Sequence, residues 1–135
     1  MHSYILKIKA LNLPEGSYMI CGSGILEMLG IREAQDIDIL VSPELFKNLE
    51  EKDGWKRHPK YQTCIEHPEG IAGAKYSLDF MKKDYTLIEV LPKAIMIEGI
   101  PFMNLDILIE AKTELAREKD LKDIELINIY LSTKK

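Results

Sequence analysis

Two aspartates, Asp36 and Asp38, stand two residues apart at the start of an apolar run that ends at Val41. The run is rich in β-branched and aliphatic residues, which predicts a strand. Side chains alternate across a strand, so both carboxylates share one face while Ile37 and Ile39 point into a core. Two like charges side by side repel, and a divalent cation such as Mg²⁺ relieves that repulsion. The pair is a candidate metal site, although Asp-x-Asp on a solvent-facing strand is also common without chemistry.

A third aspartate, Asp79, is embedded in a second apolar segment, and the alternation over residues 75–81 predicts another strand there. Aspartate is depleted in strands, so its presence in an apolar strand indicates a functional role. Three such carboxylates on neighbouring strands would hold two Mg²⁺ ions. That arrangement activates an attacking oxygen and stabilises a leaving pyrophosphate.

A glycine-rich turn at residues 22–24 joins a predicted strand over residues 18–21 to a short predicted helix that Gly30 ends. Glycines let the backbone come close to a ligand, and the N-terminus of the following helix suits phosphate. Ser23 adds a hydroxyl donor. The turn is neither a P-loop nor a GxGxxG motif, and such turns are often purely structural.

Length and composition indicate the class of protein to which this sequence belongs. The 135 residues amount to one domain, residues 1–135, and 46% apolar with 30% charged residues is an ordinary globular balance. No run approaches the roughly 20 apolar residues of a membrane span, and no signal peptide is visible. Cys21 and Cys64 are not in a CxxC motif, which predicts reduced, buried thiols. We therefore expect a cytoplasmic protein without a membrane partner. The net charge of -4 argues against non-specific nucleic-acid binding.

Strand and helix patterns alternate along the chain, which predicts an α+β (mixed α/β) fold. Helices are predicted at residues 3–11, 25–29, 43–53 and 105–115, the last capped by Asn104, and a final helix begins at Asp120. Strands are predicted at residues 18–21, 36–41, 55–58, 61–65 and 75–81, with another within residues 95–102.

Two motifs at a fixed spacing resemble a known signature. The CGS of residues 21–23 is followed, after twelve residues, by the DIDI of residues 36–39. This resembles the nucleotidyltransferase superfamily related to DNA polymerase β. Gly30 and Arg32 before the aspartates resemble one branch, that of the lincosamide nucleotidyltransferases and the abortive-infection type nucleotidyltransferase toxins. Residues 112–123 also resemble this branch, which often carries a helix lysine followed by Arg-x-Lys-Asp-x-x-Asp.

The resemblance covers about residues 18–131 and implies the nucleotidyltransferase fold, a short mixed sheet flanked by helices. It implies that Asp36 and Asp38 are metal ligands and that Asp79 is the third carboxylate, which helps the acceptor hydroxyl lose its proton. The implied nucleotide-binding residues are Gly22, Ser23, Arg32, Lys112, Arg117 and Lys119. The chain departs from this branch at Ser23, where a second glycine is frequent, and at Ala34, where a threonine is frequent.

Two charged segments also have structural interpretations that need no nucleotide site. Glu114, Glu118 and Lys122 fit a solvated helix face as well as a site, and Asp120 and Asp123 are predicted to be structural, capping the last helix and fixing the loop. The basic-aromatic segment of residues 55–60 fits a surface hairpin, or a surface where aromatic rings stack on RNA bases.

The leading functional interpretation is transfer of a nucleoside monophosphate from an NTP to an acceptor hydroxyl, with release of pyrophosphate and dependence on Mg²⁺ or Mn²⁺. The acceptor would be a small molecule, an RNA end or a protein hydroxyl. The alternative is a nucleotidyltransferase-fold module that binds nucleotide or a protein partner without catalysis. Small size supports the alternative, because little chain is left to build an acceptor pocket, and a homodimer would supply the missing wall.

Overall fold

A computed structural model describes residues 2–61, 63–78 and 81–134 of the chain. Within these residues, seven strands form one mixed sheet, and helices flank it. The predicted α+β class, a mixed sheet flanked by helices, is confirmed at this level of detail.

The strands are short, and most lie where the sequence predicts them. In chain order they are β1 (Tyr18–Cys21), β2 (Ile37–Val41), β3 (Lys56–Arg57), β4 (Cys64–Glu66), β5 (Ala72–Lys75), β6 (Ile95–Ile97) and β7 (Ile100–Phe102). Their order across the sheet is β3-β4-β5-β2-β1-β7-β6. β2 pairs antiparallel with β1 and parallel with β5. The strand that carries Asp38 is therefore the central one.

Helices connect and cover these strands. They are α1 (Ser3–Lys9), α2 (Gly24–Met28), α3 (Pro43–Glu51), α4 (Leu87–Val90), α5 (Leu105–Leu115) and α6 (Glu118–Thr133). Ser42 caps α3 and Asn104 caps α5, each by accepting a hydrogen bond from the backbone N–H three residues on. The sequence predicted the Asn104 cap, because such a side chain satisfies N–H groups that lack a partner within the helix. α6 begins at Glu118, two residues before the predicted start.

The core packs against the two middle strands. Ile20 of β1 and Ile39 of β2 are register partners and are fully buried. Ile5 and Ile8 come from α1, and Ile127 comes from α6. Because these side chains from both ends of the chain enter one core, α1 and α6 are held firmly to the sheet that carries the aspartates.

The strand predicted at residues 75–81 is wrong in position. β5 spans Ala72–Lys75, and residues 76–78 lie outside any strand. Ala72 and Ala74 are buried because β5 is hydrogen-bonded to β2 on one side and to β4 on the other. Such tertiary pairing overrides the low strand propensity of alanine and glycine. Asp79 and Phe80 lie outside the described residues.

The basic-aromatic segment contributes β3, which pairs with β4 in an antiparallel hairpin. Its Trp55 is buried and packs edge-on against His67, with ring centroids 5.3 Å apart. Trp55 is therefore a core residue, which removes its ring from the predicted base-stacking surface. The guanidinium of Arg57 donates to Glu50 through Nε at 2.5 Å.

Both cysteines are free thiols. Cys21 is buried, as predicted, whereas Cys64 is only half-buried. Burial raises the pKa of Cys21 to about 12, and the nearby charge of Asp38 adds to that rise. Cys21 is consequently a protonated thiol at neutral pH and is not a nucleophile. No helix in the described ranges has the length and apolar character needed to cross a bilayer.

Candidate functional site

Asp38 projects from the centre of the sheet on the face opposite to the isoleucines beside it. Ile37 and Ile39 are buried, while Asp38 keeps contact with solvent. This confirms the alternation predicted from the sequence. Asp36, one residue before β2 begins, is also exposed. Both carboxylates therefore lie at the start of the central strand and are open to a ligand.

Gly22 and Asp38 are brought together by the pairing of β1 with β2. Cys21 is the register partner of Asp38, so the turn that follows β1 begins beside this carboxylate. The backbone of Gly22 has a φ of +65°, a conformation that L side chains rarely adopt. A Cβ at this position would lie 3.0 Å from Oδ2 of Asp38. Glycine is thus required both by the turn and by the carboxylate next to it.

The charges around Asp38 make a mixed environment. Burial raises the pKa of Asp38 above its ordinary value, because neighbouring atoms displace water from a carboxylate that remains partly accessible. The negative charge of Asp36 acts in the same direction, and the positive charges of Lys75, Lys112 and Lys119 act against it. Three lysines from different elements therefore lie close enough to influence one carboxylate.

Of these three lysines, Lys75 lowers the pKa of Asp38 most, and the sequence analysis did not single it out. It is the last residue of β5, and its register partner is Leu40 of β2. The sequence offered one sign, because Lys75 stands at the start of a predicted apolar segment. A lysine in that place is equally typical of a simple strand end. Only the parallel pairing of β5 with β2 brings Lys75 to Asp38.

Ser23 stands at the N-cap of α2 but makes no side-chain capping bond. Its Oγ instead accepts a hydrogen bond of 2.8 Å from Nη2 of Arg32. The same guanidinium donates to both carboxylate oxygens of Asp123, from Nε at 2.6 Å and from Nη2 at 2.7 Å. Two predicted nucleotide-binding residues are therefore in direct contact, and Arg32 joins them to α6.

Lys112 is buried and lies between two acids of α6. Its Nζ is 2.8 Å from Oδ2 of Asp123 and 3.5 Å from Oδ1 of Asp120. Asp120 also accepts from Nε of Arg117 at 2.6 Å and from the backbone N–H of Arg117 at 3.2 Å. Together with Arg32, which also contacts Asp123, these residues form what we call the α6 charge network: Arg32, Lys112, Arg117, Asp120 and Asp123. The predicted capping role of Asp120 is confirmed.

Within the network, the two acids have lowered pKa values. Burial is the largest single influence and acts to raise the pKa of each, but at Asp120 the side-chain and backbone hydrogen bonds from Arg117, together with the charges of Arg117 and Lys112, outweigh it. At Asp123 the hydrogen bonds from Arg32 and Lys112 do the same. Asp123 is thus the ionised hub of a buried cluster, which agrees with the structural role predicted for it, and it also holds the loop that carries Arg32.

Arg117 and Lys119 stand at the beginning of α6. With Glu118 and Lys122 they line an open recess of about 400 Å³. Arg117 is exposed apart from its bonds to Asp120, and Lys119 is exposed yet near enough to Asp38 to lower its pKa. The recess is therefore a mainly cationic surface, and the charge of Lys119 in it acts on Asp38.

Tyr4 of α1 is a further neighbour that the sequence analysis missed. Its hydroxyl donates to the backbone oxygen of Asp36 at 2.9 Å. A Cβ on Gly24 would lie 2.8 Å from the Tyr4 hydroxyl, so the second glycine of the turn makes room for this contact. An apolar helix face gave no sign that one of its residues would support the aspartate loop.

Two of the three predicted metal ligands, Asp36 and Asp38, lie within the described residues. Asp36 and Asp38 supply hard carboxylate oxygens, the donors that Mg²⁺ and Mn²⁺ prefer, and both residues are exposed. Asp79 is outside the described residues, and within residues 2–61, 63–78 and 81–134 no group of three or more His, Cys, Asp or Glu side chains could hold a metal ion. The two aspartates fit a metal that draws its remaining ligands from a bound phosphate.

A scan against protein-family models, a search of characterised proteins and a search of solved structures each find no match to this chain. Membership of the nucleotidyltransferase superfamily therefore stays a prediction.

Proposed function

We propose that this protein is a metal-dependent nucleotidyltransferase that transfers a nucleoside monophosphate from an NTP to an acceptor hydroxyl and releases pyrophosphate. The observation that carries the proposal is the convergence at Asp38. A carboxylate on the central strand touches a glycine turn and lies within the influence of three lysines. The same convergence supports a nucleotidyltransferase fold.

The arrangement suits a triphosphate for electrostatic reasons. The tail of an NTP is strongly negative, and Lys75, Lys119 and Lys122 supply positive charge on the side of the aspartates or in the adjoining recess. Gly22 presents no side chain, so a phosphate could approach the backbone of the turn. In phosphoryl transfer the protein contributes mainly positioning and charge stabilisation, and this site offers both.

Mg²⁺ or Mn²⁺ would be held by Asp36 and Asp38 together with phosphate oxygens. When bound, the ion would neutralise phosphate charge that the lysines alone do not balance. The aspartates in turn would fix the position of the reacting phosphate relative to Gly22 and Ser23. Lys112, which is buried against Asp123, would act on the phosphates through its charge or after a rearrangement of that pair.

Asp79 is our hypothesis for the group that accepts the proton of the attacking hydroxyl, since such a base must stand beside the metal ligands. The acceptor itself is a small molecule, an RNA end or a protein hydroxyl. A homodimer would complete the acceptor pocket. The family whose toxins this sequence resembles suggests a role of the toxin–antitoxin kind.

The first test is synergy between metal and nucleotide. Mg²⁺ or Mn²⁺ with a non-hydrolysable NTP should raise the melting temperature more than the sum of the two added separately, because each completes the binding site of the other. The double change Asp36→Asn/Asp38→Asn should abolish the synergy. The matched control, Asp53→Asn/Asp84→Asn, removes two exposed aspartates outside the site and should preserve it. Synergy that survives loss of Asp36 and Asp38 would place the metal elsewhere.

The second test separates an enzyme from a binding module. Asp79→Asn should keep most of the NTP affinity, because Asp36 and Asp38 remain, but should lose nearly all release of pyrophosphate. Wild-type protein that binds Mg-NTP without releasing pyrophosphate, whatever the acceptor source, would favour the binding module. Full activity in Asp79→Asn would show that another group accepts the proton.

A further inference from the structure

The Ser23 hydroxyl is held in an unusual way for a residue at the start of a helix. A serine at this position ordinarily accepts a hydrogen bond from a backbone N–H of the first turn. Here the side chain makes no such bond, and Oγ accepts from Nη2 of Arg32 at 2.8 Å instead. The arginine therefore determines where the oxygen of Ser23 points.

This arrangement has a consequence for the hydroxyl proton. A serine hydroxyl has one proton to donate and two lone pairs that accept. A cationic donor occupies a lone pair of Oγ, so the proton is directed away from Arg32 and is available to a different acceptor. A hydrogen bond from an ionised donor also polarises the hydroxyl, which makes it a better donor to an anion.

Arg32 could not hold this position alone, because its side chain is about one-third exposed. Asp123 accepts two hydrogen bonds from it, and only 5% of the Asp123 side chain is exposed. A bidentate pair between a guanidinium and a carboxylate fixes orientation as well as distance. Lys112 in turn fixes Asp123 from the other side at 2.8 Å. The chain of contacts from α6 to the glycine turn is therefore continuous.

We infer that Asp123 and Arg32 are positioning residues that orient the Ser23 hydroxyl so that it donates to a phosphate of the bound nucleotide. Asp123 acts through Arg32, and Arg32 acts through Ser23, so neither need touch the nucleotide. The inference rests on the proposed function, since it takes the nucleotide phosphate to be the acceptor of the Ser23 proton. It gives Asp123 of α6 a role in nucleotide binding that is separate from the charges of Lys119 and Lys122.

The test is a double-mutant cycle on nucleotide affinity. The probes are the Mg²⁺ complexes of non-hydrolysable analogues of the four NTPs, with Kd measured by calorimetry for each variant. Ser23→Ala removes the hydroxyl and should weaken binding about tenfold, the usual size of one hydrogen bond to a charged group. Asp123→Asn should weaken binding by a similar factor. The double variant should bind the nucleotide analogue no more weakly than whichever single variant binds it less tightly, because both changes remove the same contact.

The matched control is Asp120→Asn, which alters the other acid of the α6 charge network. Asp120 contacts Arg117 and Lys112 but not Arg32, so its effect and that of Ser23→Ala should multiply. Arg32→Lys provides a second route if Asp123→Asn is poorly folded. It keeps the positive charge but loses the bidentate fork, and it too should show no additional loss in a Ser23→Ala background.

The outcomes separate two failures. If the wild-type protein binds none of the four nucleotides, the proposed function fails and this inference fails with it. Suppose instead that the wild-type protein binds a nucleotide, but that Ser23→Ala/Asp123→Asn and Ser23→Ala/Arg32→Lys each lose about a hundredfold in affinity, the product of their single effects. The positioning role is then wrong, while the proposed function stands. Melting temperatures of all variants, taken without nucleotide, show that each compared protein is folded.

Discussion

Replacing Asp123 with asparagine should destabilise the protein strongly, because Asp123 is the hub of the α6 charge network. The carboxylate accepts two hydrogen bonds from Arg32 and one from Lys112, at distances of 2.6 to 2.8 Å. Asparagine would keep the volume of the side chain but lose its negative charge. The ammonium of Lys112, only 9% exposed, would then keep Asp120 at 3.5 Å as its remaining acid within the network.

The magnitude follows from the burial of both partners. Removing one member of a buried ion pair typically costs about 3–5 kcal/mol, since the other charge is left uncompensated. Arg32 is 33% exposed and can be resolvated in part, which places the expected loss towards the lower end, about 3 kcal/mol. For a chain of this length that corresponds to a fall in Tm of about 10 °C.

The assay is urea unfolding at pH 7 followed by fluorescence of Trp55, which is buried in the core. Asp123→Asn/Lys112→Met should recover part of the loss, because it also removes the stranded charge. The matched control is Glu50→Gln, which breaks an exposed bond of the same chemistry to Arg57 and should shift the midpoint far less. A loss below about 1 kcal/mol for Asp123→Asn, similar to that of an exposed pair, would refute the reasoning.

Three further predictions concern the glycine turn, the central carboxylate and acid stability. Gly22→Ala should lower the free energy of unfolding in urea more than Gly70→Ala does. Both glycines have φ near +70°, a conformation that destabilises alanine by about 1–2 kcal/mol. Only at Gly22 would the new Cβ also lie 3.0 Å from Oδ2 of Asp38. Asp38→Asn should raise the Tm of metal-free protein at pH 7, because burial raises the folded-state pKa of Asp38, and the gain should fade as pH falls towards about 3.9. An unchanged or lower Tm would contradict that assignment. Because the folded-state pKa values of Asp120 and Asp123 are lowered, their stabilisation is present above about pH 3.9 and lost as pH falls further, so the acid transition should be shallower in Asp123→Asn than in wild type.

Local sequence patterns predicted β1 and β2, the two strands beside the glycine turn and Asp38. Residues 18–21 and 36–41 read as strands from their apolar, β-branched composition, and the structure has β1 and β2 there. The alternation across β2 also placed Asp38 opposite to Ile37 and Ile39 correctly. Helix ends were predictable where a capping side chain marks them, as Asn104 does for α5. In these cases the cause of the structure lies within a few residues of its effect.

The remainder of the site depends on contacts between distant parts of the chain. β5 was misplaced because Ala72, Gly73 and Ala74 have low strand propensity and are held by pairing with β2 and β4. Lys75 reaches the site through that same pairing. The bond between Arg32 and Asp123 spans 91 positions in the sequence, and no local pattern encodes it. Non-local pairing and buried charge therefore account for what the sequence did not predict.

The most direct test of the proposed function is transfer of label from α-labelled NTPs. Wild-type protein would be incubated with each of the four nucleotides, Mg²⁺ or Mn²⁺ and a cell extract, and the labelled material identified as small molecule, RNA or protein. The γ-labelled nucleotides run in parallel should leave the acceptor unlabelled, since the γ-phosphate departs in pyrophosphate. We predict α-label on one class of acceptor with the wild type and none with Asp36→Asn/Asp38→Asn. Equal labelling by wild type and the double variant, or no α-label with any nucleotide under conditions where Mg-NTP binds, would contradict nucleotidyl transfer at this site.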